Sequence, residues 1–558
     1  MNKHLALLGI ILLIGAVVRF AALGEVPSSL HRDEAFLGYN AYSILETGKD
    51  ISGQVFPFHL ESFLYSPAGY SYFSIPFIKL FDLSSFSVRF ASAFFGFLTI
   101  FALFFLVKEF FYKNKYKNEL ALISSFFLAI SPWHINLSRT ATENTVVTFF
   151  IVLGIFPLLL FARKGKNLLL FLSFLSFGVT LSIYQAPRAF LPVFIPFTAL
   201  LILGKKKLIE KRILLFFLYA FIIVCPVLFV VFSSDISLRI RTLSIFNHPE
   251  AQLVINSEIA NDGEAGLPRV LTRVFHNKVV NYSGIFFDNY TKHFSFEYLF
   301  SDKGFPDRYR IPHMGILYIF ELFLIISALF YIFRKDKREG LVILSWILLV
   351  PVGSALTFDD VPNLQRTLIS SPAFSILSSY GLLSLLLVFK TKKPVLLKPF
   401  LIFISLVIVY SFSYYLIQYH IQSPVYRPWY RSDGYNQLVS SVKAVSDNYN
   451  SIVVTNRESA PTIFFLFFEK YEPQKFQNET RNADMSRSDS IGFGKYVFTD
   501  EECPLKAEIK TNRPILMGEK NILYVNSGNC PIPQNSKIIK TIKRADNSIV
   551  FYLLNRSD

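Results

Sequence analysis

The chain has 558 residues, of which 52% are hydrophobic and only 17% charged, with 61 phenylalanines and a mean hydropathy of +0.41. A soluble domain carries roughly 25% charged residues, so this composition excludes an ordinary water-soluble enzyme and favours a membrane protein with several spans. High hydrophobicity with ordinary glycine and proline content also excludes a disordered or collagen-like chain, and three cysteines are too few for a disulfide-rich scaffold.

The basic charge is concentrated in short breaks between apolar runs. A formal net charge of +16 would suggest nucleic-acid binding in a soluble protein. In these breaks, however, Lys and Arg exceed Asp and Glu by 16, which is the whole net charge. The breaks are 108–119, 163–166, 205–212, 334–339 and 390–398, together with Lys3. Since positive loops face the cytoplasm, the charge predicts membrane orientation and no nucleic-acid partner.

Eleven apolar runs are predicted to span the membrane, because one crossing needs about 20 mainly apolar residues. They lie at 5–24, 86–107, 120–135, 143–162, 167–184, 188–203, 213–233, 312–333, 340–356, 367–389 and 399–419. Polar, proline-containing breaks at 131–143 and 184–188 divide the two longest runs. Eleven crossings from a cytoplasmic N-terminus place every basic break inside and the C-terminus outside. Arg19 interrupts the first run, so we expect a retained span and not a cleaved signal peptide.

Three segments are predicted to be extracytoplasmic. Residues 25–85 are aromatic-rich and broken by prolines, which favours short interfacial helices, and residues 234–311 form a polar loop. Residues 420–558 combine an amphipathic run at 437–445 with strand-like runs, which predicts a small α/β domain. The strand-like runs are 451–455, 496–499, 521–525 and 548–554. The predicted fold is therefore an all-α polytopic membrane bundle at 1–419 followed by an extracytoplasmic α/β domain.

The cysteines and nucleotide motifs add little chemistry. Cys225 lies in a predicted span and is expected to be a buried thiol. Cys503 and Cys530 are both predicted outside, where either a disulfide or two free thiols is consistent with the sequence. No zinc-ligand spacing and no GxxxxGK[ST] loop is present, so nucleotide-driven transport has no support.

Single arginines occupy the predicted outer turns, where positive charge is otherwise disfavoured. They are Arg139, Arg188 and Arg366, with Arg89 at the outer start of the second span. Because the planar guanidinium binds phosphate well, the four predict a phosphate site at the outer face. The alternative is that each arginine reaches lipid headgroups or pairs with a nearby acid.

Acidic residues lie near the same face. Asp33 and Glu34 follow the first span, Glu143 begins the fourth, and Asp359–Asp360 precede the tenth. A carboxylate at the mouth of a low-dielectric cavity can accept a proton from a substrate hydroxyl. Capping of a helix over 35–45 explains Asp33 and Glu34 equally well.

Five segments resemble a known family. The segment 31–50, HRDEAFLGYNAYSILETGKD, resembles the first-loop motif of GT-C superfold membrane glycosyltransferases. The nearest resemblance is to the protein-mannosyltransferase-like and aminoarabinose-transferase-like group, which is glycosyltransferase family 39-like. Segments 87–111, 131–150, 293–304 and 363–385 are similar to the same group, in the same order.

The resemblance implies transfer of one sugar from a polyprenyl-phosphate donor to an acceptor hydroxyl on the outer face, with inversion. Asp33 matches the first-loop acid of the family, its proposed base, and Glu34 is the second catalytic candidate. Arg139, Arg188 and Arg366, with Arg89, are the donor-phosphate candidates. Further substrate-site candidates are His31, Glu143, Tyr184 and His293.

Several alternatives stay open. No cofactor is certain; some GT-C enzymes use a divalent metal, for which Asp33, Glu34 and Glu143 offer oxygen ligands without a diagnostic spacing. A ligase or polymerase of whole lipid-linked glycans is the nearest alternative, and a transporter is less favoured because no internal halves are visible. The predicted partners are the lipid-linked donor, a lipid, glycan or protein acceptor, and the lipids of the cell membrane.

Overall fold

The computed structural model describes residues 3–61, 66–208, 218–219, 243–247, 249–511 and 521–556. The longer helices of the first part are α1 (Lys3–Phe20), α2 (Arg32–Thr47), α3 (Gly69–Phe81), α4 (Ser85–Phe110), α5 (Lys117–Ile130), α6 (Pro132–Ser138), α7 (Glu143–Lys164), α8 (Asn167–Ile183) and α9 (Ala186–Leu208). They are followed by α10 (Pro249–Glu264), α11 (Arg269–Phe275), α12 (Lys278–Lys292), α13 (Phe296–Phe300), α14 (Ile319–Lys335), α15 (Lys337–Ala355), α16 (Ser371–Lys392), α17 (Pro394–Ile417) and α18 (Ser423–Val425).

The described residues of the C-terminal part add four α-helices and a sheet. The helices are α19 (Tyr435–Val445), α20 (Pro461–Glu469), α21 (Pro473–Glu479) and α22 (Pro504–Thr511). The strands are β1 (His59–Leu60) and β2 (Ser66–Pro67) in the first loop, then β3 (Ser451–Thr455), β4 (Tyr496–Thr499), β5 (Ile522–Ser527), β6 (Ser536–Lys543) and β7 (Ile549–Arg556).

Each of the ten predicted spans that fall on described residues overlaps a helix, although the bounds differ from those predicted. The predicted span 213–233, with Cys225, lies outside the described residues except for positions 218–219. Among the described helices, seven are long and apolar enough to cross a membrane. Helices α5 and α6, bent by 58°, make an eighth if they count as one span. Helix α14 starts at Ile319, later than predicted, because Ile311 and Met314 pair across a turn.

Arg19 explains the charge in the first apolar run. Its fully buried guanidinium donates to the carbonyls of Leu128 (3.1 Å) and Ala129 (3.0 Å). These carbonyls belong to the last turn of α5, which lacks intrahelical donors and carries the negative end of the helix dipole. The same guanidinium lies 2.9 Å from Nδ1 of His134 in α6. Arg19 therefore fastens α1 to the bend between α5 and α6.

Close helix packing in the bundle depends on a small residue. A Cβ added at Gly381 in α16 would lie 1.8 Å from the carbonyl oxygen of Leu324 in α14. Membrane helices gain little from the hydrophobic effect against each other, so backbone proximity of this kind supplies much of their packing. Any side chain at position 381 would separate the two helices.

By its internal contacts the chain divides into two compact units. The first contains residues 1–19, 95–137 and 143–415, and the second contains residues 20–94, 138–142 and 416–558. The second unit therefore combines the first loop with the C-terminal domain.

The C-terminal domain is built on a five-stranded sheet of order β4-β3-β5-β7-β6. Strand β3 is parallel to β4 and β5, and β7 is antiparallel to β5 and β6. Helices α20 and α21 connect β3 to β4, and α22 connects β4 to β5, as parallel pairs require. Strands β3 and β4 have the predicted bounds, and the predicted α/β domain is confirmed.

Strand β6 was missed by the sequence pattern. It lies at the edge of the sheet and carries Lys537, Lys540 and Lys543. Edge strands commonly carry lysines, which oppose pairing with another chain, and such strands lack the alternation of half-buried ones.

Cys503 and Cys530 of this domain form a disulfide, and their Cα atoms are 5.6 Å apart. This settles the alternative left open by the sequence in favour of the disulfide.

Helix α2 of the first loop packs directly on the C-terminal domain. The Tyr39 hydroxyl donates to the carbonyl of Tyr471 at 2.7 Å, and the Gln477 amide donates to Ser43 Oγ at 3.0 Å. A Cβ at Gly38 would lie 2.4 Å from Val88 Cγ2 and 2.9 Å from the Phe467 ring, so α2 needs a glycine where it meets α4 and α20. Helix α2 of the first loop is thus packed into the second unit.

Candidate active site

Glu34 lies at the centre of a buried polar cluster in the second unit. Its carboxylate pairs with Arg89, with Oε1 3.0 Å from Nε and Oε2 3.2 Å from Nη2. The backbone N–H of Ala141 donates to Oε1 at 2.8 Å, and that of His31 donates to Oε2 at 3.1 Å. Burial alone would raise the pKa of Glu34, but Arg89 and these hydrogen bonds hold the pKa below its usual value.

All five N–H donors of Arg89 are used within the protein. Besides Glu34, the guanidinium donates to the carbonyls of Leu23 (3.3 Å), Pro27 (2.9 Å) and Ser29 (2.5 Å). The side chains of Arg89 and Glu34 are 1% and 3% exposed. In this arrangement Arg89 has no donor left for a phosphate, and Glu34 has no lone-pair direction facing solvent. The pair joins the first loop, the start of α4 and the 138–142 turn.

Asp33 differs from its neighbour in almost every respect. It occupies the first turn of α2, which His31 caps by accepting the Asp33 backbone N–H on Nδ1 at 3.2 Å. The Asp33 side chain is 44% exposed, and its carboxylate lies 3.7 Å from Arg32 Nε and 3.5 Å from His31 Nδ1. The capping function of this motif is thus carried by His31 and Glu34, and the carboxylate of Asp33 faces outward.

Arg139 is the second predicted arginine in this unit. It is fully buried and donates through Nη2 to the carbonyls of Val26 (3.0 Å) and Ala22 (3.3 Å). Its guanidinium also lies over the Tyr419 ring, 5.6 Å from the ring centre. Arg139 therefore draws the turn after the first span together with the segment that follows α17.

Glu143 belongs to the first unit and begins α7. Its Oε2 accepts the Gln365 side-chain amide at 2.7 Å, and Asn144 donates back to the Gln365 carbonyl at 2.6 Å. A carboxylate at a helix N-terminus is stabilised by the helix dipole. The two contacts hold the 363–366 segment on the start of α7.

His293 organises the same segment from the other side. Its Nδ1 lies 2.8 Å from the carbonyl of Asn289, and its Nε2 lies 3.0 Å from Ser354 Oγ and 3.2 Å from the backbone nitrogen of Asn363. Accepting the Asn363 N–H requires an unprotonated Nε2. Burial is the largest cause lowering the pKa of His293 to about 4, so the ring is neutral at pH 7.

The remaining two arginines also lie in the first unit. Arg188 donates through Nε and Nη2 to the Leu181 carbonyl, at 3.2 and 3.0 Å, near the C-terminus of α8. Half-buried Tyr184 ends that helix. Arg366 donates through Nη1 to Thr357 Oγ1 at 2.7 Å and to the Asp359 carbonyl at 2.8 Å. Within the described residues, Nε and Nη2 of Arg366 make no hydrogen bond, although Nη2 lies 3.8 Å from the Asp359 carboxylate.

A small cavity of about 20 Å³ lies beside the segment that Glu143 and His293 hold. Its lining includes Trp133, Tyr298 and Leu364, and the Trp133 indole donates to the Leu364 carbonyl at 2.8 Å. This volume suffices for about one water molecule. It is too small for a sugar.

The acidic residues of the described chain were compared with the arrangement that a metal ion needs. Across the described part of the chain, no group of three or more His, Cys, Asp or Glu side chains is arranged to hold a metal ion. The sequence-based option of Asp33, Glu34 and Glu143 as oxygen ligands stays a prediction. Glu34 is already engaged by Arg89 and by two backbone N–H groups.

Two polar contacts, one in each unit, were not found from the sequence. Arg32 lies between Asp33 and Asp489 of the C-terminal domain. Asp489 is 457 positions away from Arg32, in a serine-rich stretch without periodicity, so no sequence signal marks it. Tyr298 donates or accepts at Thr367 Oγ1 (2.6 Å), and the aromatic motif 293–304 is the one signal that indicated this region.

Comparison with known proteins places the fold. Residues 66–229 match the family model described as Dolichyl-phosphate-mannose-protein mannosyltransferase. No curated protein matches the chain at a significant level. The apo structure of ArnT from Cupriavidus metallidurans aligns with 98% of this chain and 97% of its own, at 12% identity and a TM-score of 0.53.

Two further solved structures are similar. ArnT from Cupriavidus metallidurans bound to undecaprenyl phosphate gives a TM-score of 0.52 at 12% identity, over 98% of this chain and 97% of its own. The archaeal oligosaccharyltransferase AglB from Archaeoglobus fulgidus, in complex with an inhibitory peptide and a dolichol-phosphate, gives 0.50 at 14% identity. That alignment covers 84% of this chain and 63% of AglB. The predicted resemblance is thus confirmed, and the chain is a multi-pass membrane protein with the fold of the GT-C glycosyltransferases.

Proposed function

We propose that this protein transfers a sugar from a polyprenyl-phosphate donor to an acceptor hydroxyl at the extracytoplasmic face. The observation that carries the proposal is the contrast between two adjacent acids on one capped helix. Glu34 is buried and engaged, and Asp33 is 44% exposed at the helix start. This arrangement stands in a fold shared with ArnT, which has been solved with undecaprenyl phosphate.

In the proposed reaction Asp33 is the general base. It takes the proton of the acceptor hydroxyl while the hydroxyl oxygen attacks the anomeric carbon of the donor. The bond from the anomeric carbon to the phosphate oxygen breaks, and the electron pair leaves with the polyprenyl phosphate. The phosphate needs no protonation, because cationic donors stabilise its charge. Attack from the opposite side of the leaving group inverts the anomeric configuration.

Among the four arginines, Arg366 is best suited to the donor phosphate. It lies on an outer-turn segment that Glu143 and His293 position, and it keeps Nε and Nη2 free of hydrogen bonds within the described residues. Arg89 is saturated, so we assign it to the support of Asp33 through Glu34. Arg139 and Arg188 already donate to backbone carbonyls and remain secondary candidates.

The proposed orientation follows from the basic breaks between spans. Since these breaks face the cytoplasm, Asp33, Arg366 and the C-terminal domain are placed outside. The donor is then a lipid-linked sugar of the outer leaflet and not a cytoplasmic nucleotide sugar. The acceptor is a hydroxyl of a lipid, glycan or protein.

The proposal is tested with purified protein in nanodiscs, a panel of polyprenyl-phosphate sugars and a membrane extract as acceptor source. We expect transfer by the wild type and a loss of about 100-fold or more in Asp33→Asn. Glu61→Gln removes a charge from another acid of the same loop and is the matched control. Failure of the wild type with every donor, or full activity of a folded Asp33→Asn, contradicts the proposed mechanism.

Transfer of a whole lipid-linked glycan is the second candidate. The likeness to AglB, which has a TM-score of 0.50, is the observation that favours it. Offering a lipid-linked oligosaccharide in the same assay separates the two. Transfer of the intact glycan, with no transfer of single sugars, would replace the first proposal.

A further inference from the structure

A cation joins the first loop to the C-terminal domain beside Asp33. Arg32 Nη1 lies 3.4 Å from the Asp489 carboxylate, and Arg32 Nε lies 3.7 Å from the Asp33 carboxylate. The side chains of Arg32, Asp489 and Asp33 are 37%, 40% and 44% exposed, in that order, so solvent reaches all of them. Arg32 is therefore shared between two acids that come from opposite ends of the chain.

This arrangement is supported by firm contacts around it. Ser29 Oγ donates to Asp433 Oδ1 at 2.7 Å, and Asp433 Oδ2 accepts the Ala545 N–H at 2.7 Å. The first contact holds Ser29, just before α2, on the C-terminal domain, and the second fixes Asp433 within that domain. The hydrogen bond from Tyr39 to Tyr471 fixes α2 on the same domain, about two turns after Arg32. The segment that carries Asp489 is held on α20, against which α2 packs, and the Thr462 hydroxyl of α20 donates to the carbonyl of nearby Ile491 at 3.1 Å.

We propose that Asp489 is a positioning residue for the sugar-transfer reaction, acting through Arg32 to orient Asp33 and to set its charge environment. The inference rests on the proposed function, because it assigns the C-terminal domain a role in the work of the base. Loss of Asp489 removes one acid that holds Arg32, so the guanidinium pairs more closely with Asp33. A closer ion pair makes a carboxylate a weaker base and turns it away from an acceptor.

Charged and titratable side chains of the first loop lie close to these two acids. His31 Nδ1 lies 3.5 Å from Asp33, and Arg32 lies between Asp33 and Asp489. Burial raises the pKa of Asp489, the charge of Asp33 adds to this effect, and Arg32 opposes it. In the C-terminal domain, burial raises the pKa of Tyr435, the charges of Glu458 and Asp489 add to this effect, and Arg544 opposes it. Asp33 and Asp489 are therefore coupled through space as well as through Arg32.

Substitution of Asp489 and substitution of Arg32 should shift the titration of Asp33 in opposite directions. In Asp489→Asn a negative neighbour is lost and Arg32 turns to Asp33, so we expect the acidic limb of the kcat profile to move to lower pH by about 0.5 unit or more. We expect kcat to fall about 3- to 10-fold with an unchanged KM for the donor. In Arg32→Gln the cation is lost, and the limb should move to higher pH. A merely structural role would not produce shifts of opposite sign.

Three comparisons make the test decisive. Asp447→Asn removes the same charge from an exposed ion pair with Lys495, 3.9 Å away in the same domain, and should leave the profile unchanged. Asp489→Glu should restore most of the wild-type profile, which a folding defect would not allow. Carbodiimide labelling of Asp33 across pH, read by mass spectrometry, follows its titration without requiring turnover.

The outcomes separate this inference from the proposed function. An active wild type whose kcat and labelling profiles are the same in Asp489→Asn contradicts the inference and leaves the function standing. No transfer by the wild type contradicts the function, and the labelling shift then decides alone whether Asp489 controls the charge environment of Asp33. Shifts of the same sign in Asp489→Asn and Arg32→Gln also overturn the inference.

Discussion

Glu34 and Asp33 are consecutive residues with opposite surroundings. Glu34 is 3% exposed and receives four hydrogen bonds, two from Arg89 and two from backbone N–H groups. Asp33 is 44% exposed and shares its nearby cation with a second acid. The first arrangement holds three segments together, and the second leaves a carboxylate able to exchange protons. Position on the helix, not residue type, decides which acid supports and which acid can react.

The largest expected effect would come from breaking the buried cluster. Glu34→Ala leaves Arg89 buried without its counter-ion, which typically costs about 3–5 kcal/mol. The thermal unfolding midpoint in detergent measures this loss. The pKa of Glu34 is below its usual value, so its stabilising contribution is present above the ordinary glutamate pKa and is lost as pH falls through the folded value. A double variant, Glu34→Ala with Arg89→Ala, should lose less than the two single losses added together.

Asp33→Asn should give the opposite pattern from Glu34→Ala. We expect transfer to fall by about 100-fold, which is about 3 kcal/mol of transition-state stabilisation, while the unfolding midpoint changes little. Activity and unfolding are measured on the same nanodisc preparation. Equal losses of activity and stability in Asp33→Asn would show that the two acids do not differ as their surroundings indicate.

The disulfide tests the comparison further. Asp33 is linked through Arg32 to Asp489 of the C-terminal domain, whereas the hydrogen-bond partners of Glu34 named above lie outside that domain. Replacing both Cys503 and Cys530 by serine should destabilise the C-terminal domain by about 2–4 kcal/mol. Limited proteolysis of the domain and its unfolding midpoint report the change. Dithiothreitol should shift the wild type in the same direction and leave the serine double variant unaffected.

His293 offers a third, smaller test of buried polar support. His293→Ala removes an acceptor from the buried N–H of Asn363 and should cost about 1–3 kcal/mol. The wild-type ring has a pKa of about 4, below its ordinary value of 6.5. Its contribution is therefore complete above pH 6.5 and is lost as pH falls from 6.5 towards 4. The unfolding midpoint of His293→Ala should be less sensitive to pH across that window.

The sequence predicted most elements and few of the contacts between them. Strands at 451–455 and 496–499 were predicted correctly because each is a short apolar run between polar breaks. The helix starting near Asp33 was also predicted, but not which acid is buried, because its partner Arg89 is 55 positions away. The link from Arg32 to Asp489 depends on how two distant elements pack, and no local pattern encodes it.

The pairing of Arg19 has a consequence for biosynthesis. Its carbonyl partners in α5 follow it by 109 and 110 positions. At the usual pace of translation, about 5–20 residues per second, they are made roughly 5–20 s later. An arginine waiting in the bilayer interior costs about 2.5–3.5 kcal/mol on insertion scales. We therefore expect α1 to insert fully into the membrane only after α5 has been synthesised and its carbonyls have bound Arg19. Formation of this contact is then an early step that membrane insertion of the bundle requires.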